Sequence, residues 1–221
     1  MTTPEYAELA HYYAQCAQNY ESVYDKPERQ ADLAQLRRQV AETMRGHDVL
    51  ELACGTGYWT AQFAATANSV LATDINAELL EIAKTKHLPA DKVQFALADA
   101  FHLPSDFAQR GFSACFAGFW WSHLKRQDQA GFLADVRDRL GAGSLLVMVD
   151  NCYVEGSSTP IARTDLDGNT YQLRSLPDGS RVEVLKNFPS DSTLRKKLGP
   201  AVRDIRITRL EYFWMLSCRL K

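Results

Sequence analysis

Asp74 and Asp99 each close a short apolar run, and Gly55 and Gly57 bracket Thr56 at the end of a third, Val49-Leu50-Glu51-Leu52-Ala53-Cys54. A carboxylate at a strand tip can accept hydrogen bonds from two adjacent ribose hydroxyls, which suits Asp74 after Ser69 to Thr73. Glycine tolerates positive φ and lets the backbone come close to a ligand, which suits Gly55 and Gly57 where a strand must turn into a helix. Asp99 could accept from an exocyclic ring amine while Ala100 and Phe101 flank the ring. Each feature also has a plainer reading, as a simple turn or an exposed strand-end cap. All three in order, each at a strand tip, point to a site for a nucleoside-bearing cofactor. Two other nucleotide signatures fit worse. The phosphate loop GxxxxGK[ST] is absent, because Tyr58 and Trp59 follow Gly57, and a dinucleotide fingerprint GxGxxG would need glycine where Thr60 stands.

The elements that position these residues follow from patterning. Leu9, Tyr13 and Ala17 share one face of a short helix, followed by a looser segment rich in tyrosine. Leu33, Leu36, Val40 and Met44 repeat at helical spacing over about 28 to 44, with Gly46 as the stop. An alternation of strand and helix then runs through strands at 49–53, 69–73, 93–97, 112–118 and 144–149. Helices are expected from Thr56 to Ala65, Ala77 to Thr85 and Lys125 to Leu140. Strands without polar alternation belong to a sheet covered on both faces. The right-handed crossover rule places the tips of strands one, two and four on one edge. After Asp150 a polar stretch leads to strand-like arms at 170–176 and 181–188 around Pro177-Asp178-Gly179-Ser180, a hairpin signal. Ser190 is placed to cap a short helix ended by Gly199-Pro200. Ile205 to Leu210 and Tyr212 to Leu220 read as an antiparallel closing pair, the last returning into the sheet.

Glu51-Leu52-Ala53-Cys54-Gly55-Thr56-Gly57, Ala72-Thr73-Asp74-Ile75 and Ala98-Asp99-Ala100 together resemble the class I S-adenosylmethionine-dependent methyltransferase family. Tyr12, Tyr20 and Tyr24 ahead of the first long helix are similar to its small-molecule branch. The likeness covers residues 5 to about 150, and the remainder by strand count. It implies an α/β, Rossmann-like, doubly wound seven-stranded sheet, mostly parallel with an antiparallel last strand, and a hairpin insertion after strand five. It implies one methyltransferase domain over 1–221, with an N-terminal helical lid over 1–45 and a substrate-side insertion over 151–190. By resemblance, S-adenosyl-L-methionine is the cofactor. The Gly55–Gly57 turn with Thr56 would lie along its methionine part, Asp74 with Ile75 beside the ribose, and Asp99, Ala100 and Phe101 at the adenine. Tyr12 and Tyr20 would close over it, Glu51 would support the loop, and Gly118 would line the methionyl side. The implied reaction is methyl transfer to a small-molecule acceptor, at a hydroxyl or carboxylate oxygen. Transfer to carbon or nitrogen and a non-catalytic binding module are the alternatives.

Candidate acceptor contacts follow from the same resemblance, which sets Trp120 and Trp121 at the tip of strand four, with packing on the next helix as the other reading, and adds Tyr24 from the N-terminal segment. His123 is the obvious general base, its ordinary pKa near 6.5 suiting proton uptake at neutral pH, and a structural histidine is the competing reading. Tyr153, Arg163 and Arg174 lie where the insertion could fold over the acceptor, the arginines pairing with a carboxylate or standing as solvated charge. The five histidines show no metal-ligand spacing, so no metal is expected.

The formal charge of −2, from 25 basic and 27 acidic residues, gives no electrostatic case for nucleic acid or an anionic membrane. No run is long enough to cross a bilayer, and Met1 to Tyr6 lacks the basic leader and apolar core of a secretory signal. Cys16, Cys54, Cys115, Cys152 and Cys218 are odd in number and scattered. The expectation is a cytoplasmic chain with reduced thiols, acting as monomer or homodimer.

Overall fold

Alternate residues of the central strands feed two different cores, which is why those strands carry no polar alternation. Val49, Ala114, Phe116, Val147 and Val149 pack on one face, and Leu50, Leu52, Cys115, Ala117, Leu146 and Met148 on the other. These positions come from a computed structural model that describes residues 4–221; residues 1–3 of the expected N-terminal segment lie outside it.

In chain order the elements are α1 (Pro4–Gln15), α2 (Gln30–Thr43), β1 (Asp48–Leu52), α3 (Tyr58–Phe63), β2 (Ser69–Asp74), α4 (Ala77–Lys84), β3 (Val93–Leu97), β4 (Ala114–Gly118), α5 (Gln129–Leu140) and β5 (Leu145–Asn151). Then follow β6 (Ile161–Thr164), β7 (Thr170–Ser175), β8 (Arg181–Leu185), α6 (Asp191–Leu198), β9 (Val202–Arg209) and β10 (Phe213–Leu220). Seven strands pair in the order β3-β2-β1-β4-β5-β10-β9, and β6-β7-β8 form a separate antiparallel sheet. The antiparallel pairings of the large sheet are those of β10, which joins Trp214 to Asp150 of β5 and to Arg209 of β9. The order reverses at β1, flanked by β2 and β4, so a crevice opens beyond their C-terminal tips.

Helix faces follow the expected periodicity. Leu33, Leu36 and Val40 of α2 are buried against one core, and Phe132, Leu133 and Val136 of α5 against the other. A third cluster, Tyr6, Leu9, Tyr171, Val184 and Leu185, joins α1 to the small sheet. That contact brings both over the strand tips.

The chain departs from its pattern in three places. β6 falls in the stretch read only as polar; all four of its residues are exposed, so nothing in it alternates with burial. α3 starts at Tyr58 rather than Thr56 because Gly57 sits at φ 74°, outside helical space. α5 starts at Gln129 rather than Lys125. The amides of Lys125 and Arg126 instead donate to the Tyr6 hydroxyl (3.0 Å) and to Asn169 Oδ1 (2.8 Å), partners far away in sequence. Ser190 does cap α6, accepting from the Thr193 amide at 3.2 Å.

Candidate functional site

The turn after β1 is the most constrained stretch of backbone. Ala53, Gly55 and Gly57 all take positive φ (51°, 58° and 74°), and Phe119 does the same beyond β4 (58°). A side chain at Gly57 would start 3.0 Å from Ala83 Cβ, so both space and torsion require glycine there. Asp74, at the end of β2, holds the turn: Oδ2 accepts from the Gly55 amide at 2.8 Å and Oδ1 from the Asn76 amide at 2.9 Å. Burial pushes its carboxyl up, and the Asn76 and Gly55 amides oppose that. Beneath the turn, buried Glu51 receives the Thr60 hydroxyl at 2.6 Å; burial raises its carboxyl to about 8.

A cleft opens at these tips, lined by Gly55, Asp74, Ile75, Asp99, Ala100, Phe101, Gly118 and Trp120, with Tyr13 and Tyr20 across from them. Asp99 Oδ1 accepts from the Phe101 amide at 2.9 Å, and Oδ2 meets His102 Nδ1 at 2.8 Å. Tyr6 packs on Phe101 with centroids 4.3 Å apart, and Phe101 on Trp120 at 5.4 Å. The Trp120 Nε1 donor is buried without a partner. Two carboxylates in an otherwise apolar, aromatic slot suit a ligand with a diol at one end and an amine-bearing flat ring at the other.

Beside the cleft lies a cavity of about 640 Å³, and Tyr13, Tyr20 and Phe119 line both. Arg174 and Lys186 of the insertion face this cavity, with Lys26 and Arg29 of the N-terminal segment. His123 stands behind the junction, fully buried. Its Nδ1–H donates to the Leu185 carbonyl (2.6 Å), so Nε2 accepts the Tyr13 hydroxyl (2.8 Å). Burial first, then Lys186 and Arg174, hold the His123 imidazole well below its ordinary value.

Residues 49–143 match the family model for a methyltransferase domain. The solved structure of a DhpI–SAH complex superposes at TM-score 0.80 with 27% identity, covering 100% of this chain and 98% of that one. The chain is thus similar to S-adenosylmethionine-dependent methyltransferases, in sequence over residues 49–143 and in fold over its whole length. Among curated relatives, the O-methyltransferase cnsE of Penicillium expansum is 33% identical over 110 residues, 48% of this chain and 38% of that protein. The O-methyltransferase rstn1 of Aspergillus nomiae is 28% identical over 176 residues, 73% and 75% of the two chains. The chain thus spans well under half the length of the first and three quarters of the second.

Within that family frame, several anticipated residues stand elsewhere than expected. Tyr12 lines the neighbouring cavity and not the cleft; Tyr13, next to it in sequence, reaches both. Thr56 does not line the cleft either: buried, it donates to Glu21 Oε1 (2.6 Å), which Lys86 also holds (2.7 Å), tying the tyrosine-rich segment to the turn. Gly57 is absent from the cleft wall and serves the close approach to α4. Trp121 is 2% exposed, in the core against Phe132, because the chain turns into a short 3₁₀ helix at that residue. Tyr153 is exposed and rests on Phe188. Arg163 is exposed, paired with Glu183 and stacked 3.7 Å over Tyr171, so it is a surface charge away from the cavity. Tyr24 does line the cavity, its ring stacked at 3.7 Å on Tyr58.

Sequence reasoning missed Tyr13, which lines both the cleft and the cavity. The helical repeat Leu9–Tyr13–Ala17 contained the signal for Tyr13. Lys186 was legible as part of the insertion, but its partners were not: Nζ donates to Ser122 Oγ (2.7 Å) and Asp150 Oδ1 (3.0 Å), residues 64 and 36 positions away.

Proposed function

We propose that the chain transfers a methyl group from S-adenosyl-L-methionine to an oxygen of a small-molecule acceptor. The observation that carries this reading is the convergence of Asp74, Asp99 and the Gly55 turn on one cleft that opens onto a separate cavity across Tyr13, Tyr20 and Phe119. When bound, the cofactor supplies an electrophilic methyl carbon on a sulfonium, open to in-line attack by oxygen.

The chain's own residues then do three things. Asp74 spends one acceptor position of each oxygen on a backbone amide, and its remaining lone pairs suit two neighbouring hydroxyls. Ile75, Ala100 and Phe101 give a ring-binding slot beside Asp99, and the orphaned Trp120 Nε1 offers a donor at its wall. The Ala17–Tyr24 segment, tied down through Glu21, covers the junction as a lid, excluding water and holding both reactants in line. The insertion of residues 151–190 forms the acceptor side within a single catalytic domain. The five free thiols fit a reducing, cytoplasmic compartment, and the nearly balanced charge fits a chain without a nucleic-acid partner.

The test is turnover of methyl-labelled S-adenosylmethionine against a panel of small alcohols, phenols and acids. Label in an acceptor, matched by S-adenosylhomocysteine, is the expected result. Tight cofactor binding with no transfer to any acceptor would replace the enzyme by a binding module.

A further inference from the structure

We infer that the acceptor is an acid bound as its anion in the 640 Å³ cavity, and that the ionised oxygen is itself the methylated atom. This rests on the methyl-transfer reading above and narrows it to carboxylate or phosphoryl-type oxyanions.

The charge of the cavity points one way. Lys26, Arg29, Arg174 and Lys186 line it, and none of the described residues lining it is a carboxylate. Lys186 is neutralised by Asp150. The other three give their hydrogen bonds to neutral groups. Arg174 donates to the Tyr13 hydroxyl (3.3 Å) and Gln172 Oε1 (3.0 Å); Arg29 and Lys26 both donate to the Ser157 carbonyl (3.1 Å each). Arg29 is buried, and its Nε has no partner. The carboxylate near that pair, Glu28, is exposed at the rim and accepts from Ser157 Oγ at 3.0 Å. Glu28 offsets part of the charge of Lys26 and Arg29 from the rim, whereas Arg174 faces no carboxylate, and a largely buried cation of that kind is costly unless a ligand supplies the charge. Arginine presents a planar fork that matches carboxylate and phosphoryl oxygens.

The second line is the lack of a base. A neutral hydroxyl acceptor needs a group to take its proton. His123 has both ring nitrogens engaged, by Leu185 and Tyr13. Relay through Tyr13 would create an imidazolium in a fully buried site already flanked by Lys186 and Arg174, which its depressed basicity opposes. His123 is therefore a positioning residue that orients Tyr13. An acceptor that arrives ionised needs none of this. One oxygen–carbon bond forms from a lone pair of the anion and one sulfur–carbon bond breaks with its pair left on sulfur. One negative and one positive charge cancel, and no proton is released.

Two measurements test this. In the first, the cofactor-free chain is titrated by calorimetry with benzoate, phenylphosphonate, phenyl phosphate and benzyl alcohol at low and high salt. At least one anion is expected to bind about tenfold or more tightly than the alcohol, and the carboxylate and phosphoryl arms identify the headgroup. Arg174→Gln is expected to remove about tenfold or more of that affinity while S-adenosylhomocysteine still binds. Lys26→Gln, outside the tyrosine cluster that holds Arg174, gives a smaller loss in the same direction should the first variant fold poorly. In the second, turnover is followed in weak buffer at a pH above every ionisation of the acid supplied as acceptor, with zero protons expected per S-adenosylhomocysteine formed. Equal or tighter binding of the alcohol, no anion bound below about 10 mM, or one proton released per turnover overturns the inference and leaves methyl transfer standing. Absence of any affinity for S-adenosylhomocysteine removes the parent reading instead.

Discussion

Replacing Glu51 by Gln separates the supporting layer of the cleft from its ligand contacts. Glu51 is 1% exposed, at the centre of the sheet, and burial is the main reason its carboxyl lies near 8 instead of its ordinary 4.5. The native state therefore keeps a proton on Glu51 in a pH range where the unfolded chain has lost it. Because the native state binds more protons, stability is full below about 4.5 and declines as pH rises through the interval to about 8. At about 1.4 kcal/mol for each pH unit, the upper limit is about 5 kcal/mol, and relaxation around a new charge brings the expected value to about 2–5 kcal/mol. Gln has the same shape and can still accept the Thr60 hydroxyl, but it cannot ionise. The assay is urea unfolding of both proteins at pH 5 and pH 8.5. Asp74 and the other titrating groups occur in both, so the difference between variant and parent isolates Glu51. That difference should move in favour of Glu51→Gln by about 2–4 kcal/mol from the lower to the higher pH. Parallel profiles would mean that Glu51 is already ionised in the native state, and the buried neutral acid under the turn would be wrong.

Asp74→Asn replaces one acceptor oxygen with a donor facing a backbone amide, and should lower affinity for S-adenosylhomocysteine about 10- to 100-fold by calorimetry. Gly57→Val combines a positive φ with a Cβ 3.0 Å from Ala83, and should destabilise by about 2–5 kcal/mol in thermal or urea unfolding. Trp121→Ala empties a fully packed core position and should cost about 3–5 kcal/mol of stability. Trp120→Ala, at the cleft wall, should cost less stability and show its main effect as weaker ligand binding.

The parts of the site legible in the sequence are those where a single short segment carries its own reason. The Gly55–Gly57 turn needs torsions that glycine provides, and Asp74 and Asp99 stand at strand ends that hydrophobic runs mark clearly. The doubly wound sheet was legible because strands buried on both faces leave an unbroken apolar signature, as in Ser144 to Val149. The wall that the insertion gives to the larger cavity was not, for physical reasons. The Lys186–Asp150–Ser122 network is built from three segments that only tertiary packing brings together. β6 is an exposed edge strand with no alternation to read. Trp120 and Trp121 are adjacent in sequence, yet one lines the cleft and the other fills the core, a division set by the local backbone turn. Tyr12 and Tyr13 show the reverse lesson: the helical repeat with Leu9 favoured Tyr13, while the family likeness drew attention to Tyr12.

The central claim is that Asp74 and Asp99 serve one adenosyl group. A crystal structure grown with S-adenosylhomocysteine tests it most directly. The account expects both ribose hydroxyls on Asp74, the adenine beside Ala100 and Phe101 with its amine toward Asp99, and the sulfur facing the Tyr13 side of the cavity. A ligand bound elsewhere, or one seated in the cleft without touching either carboxylate, would contradict it.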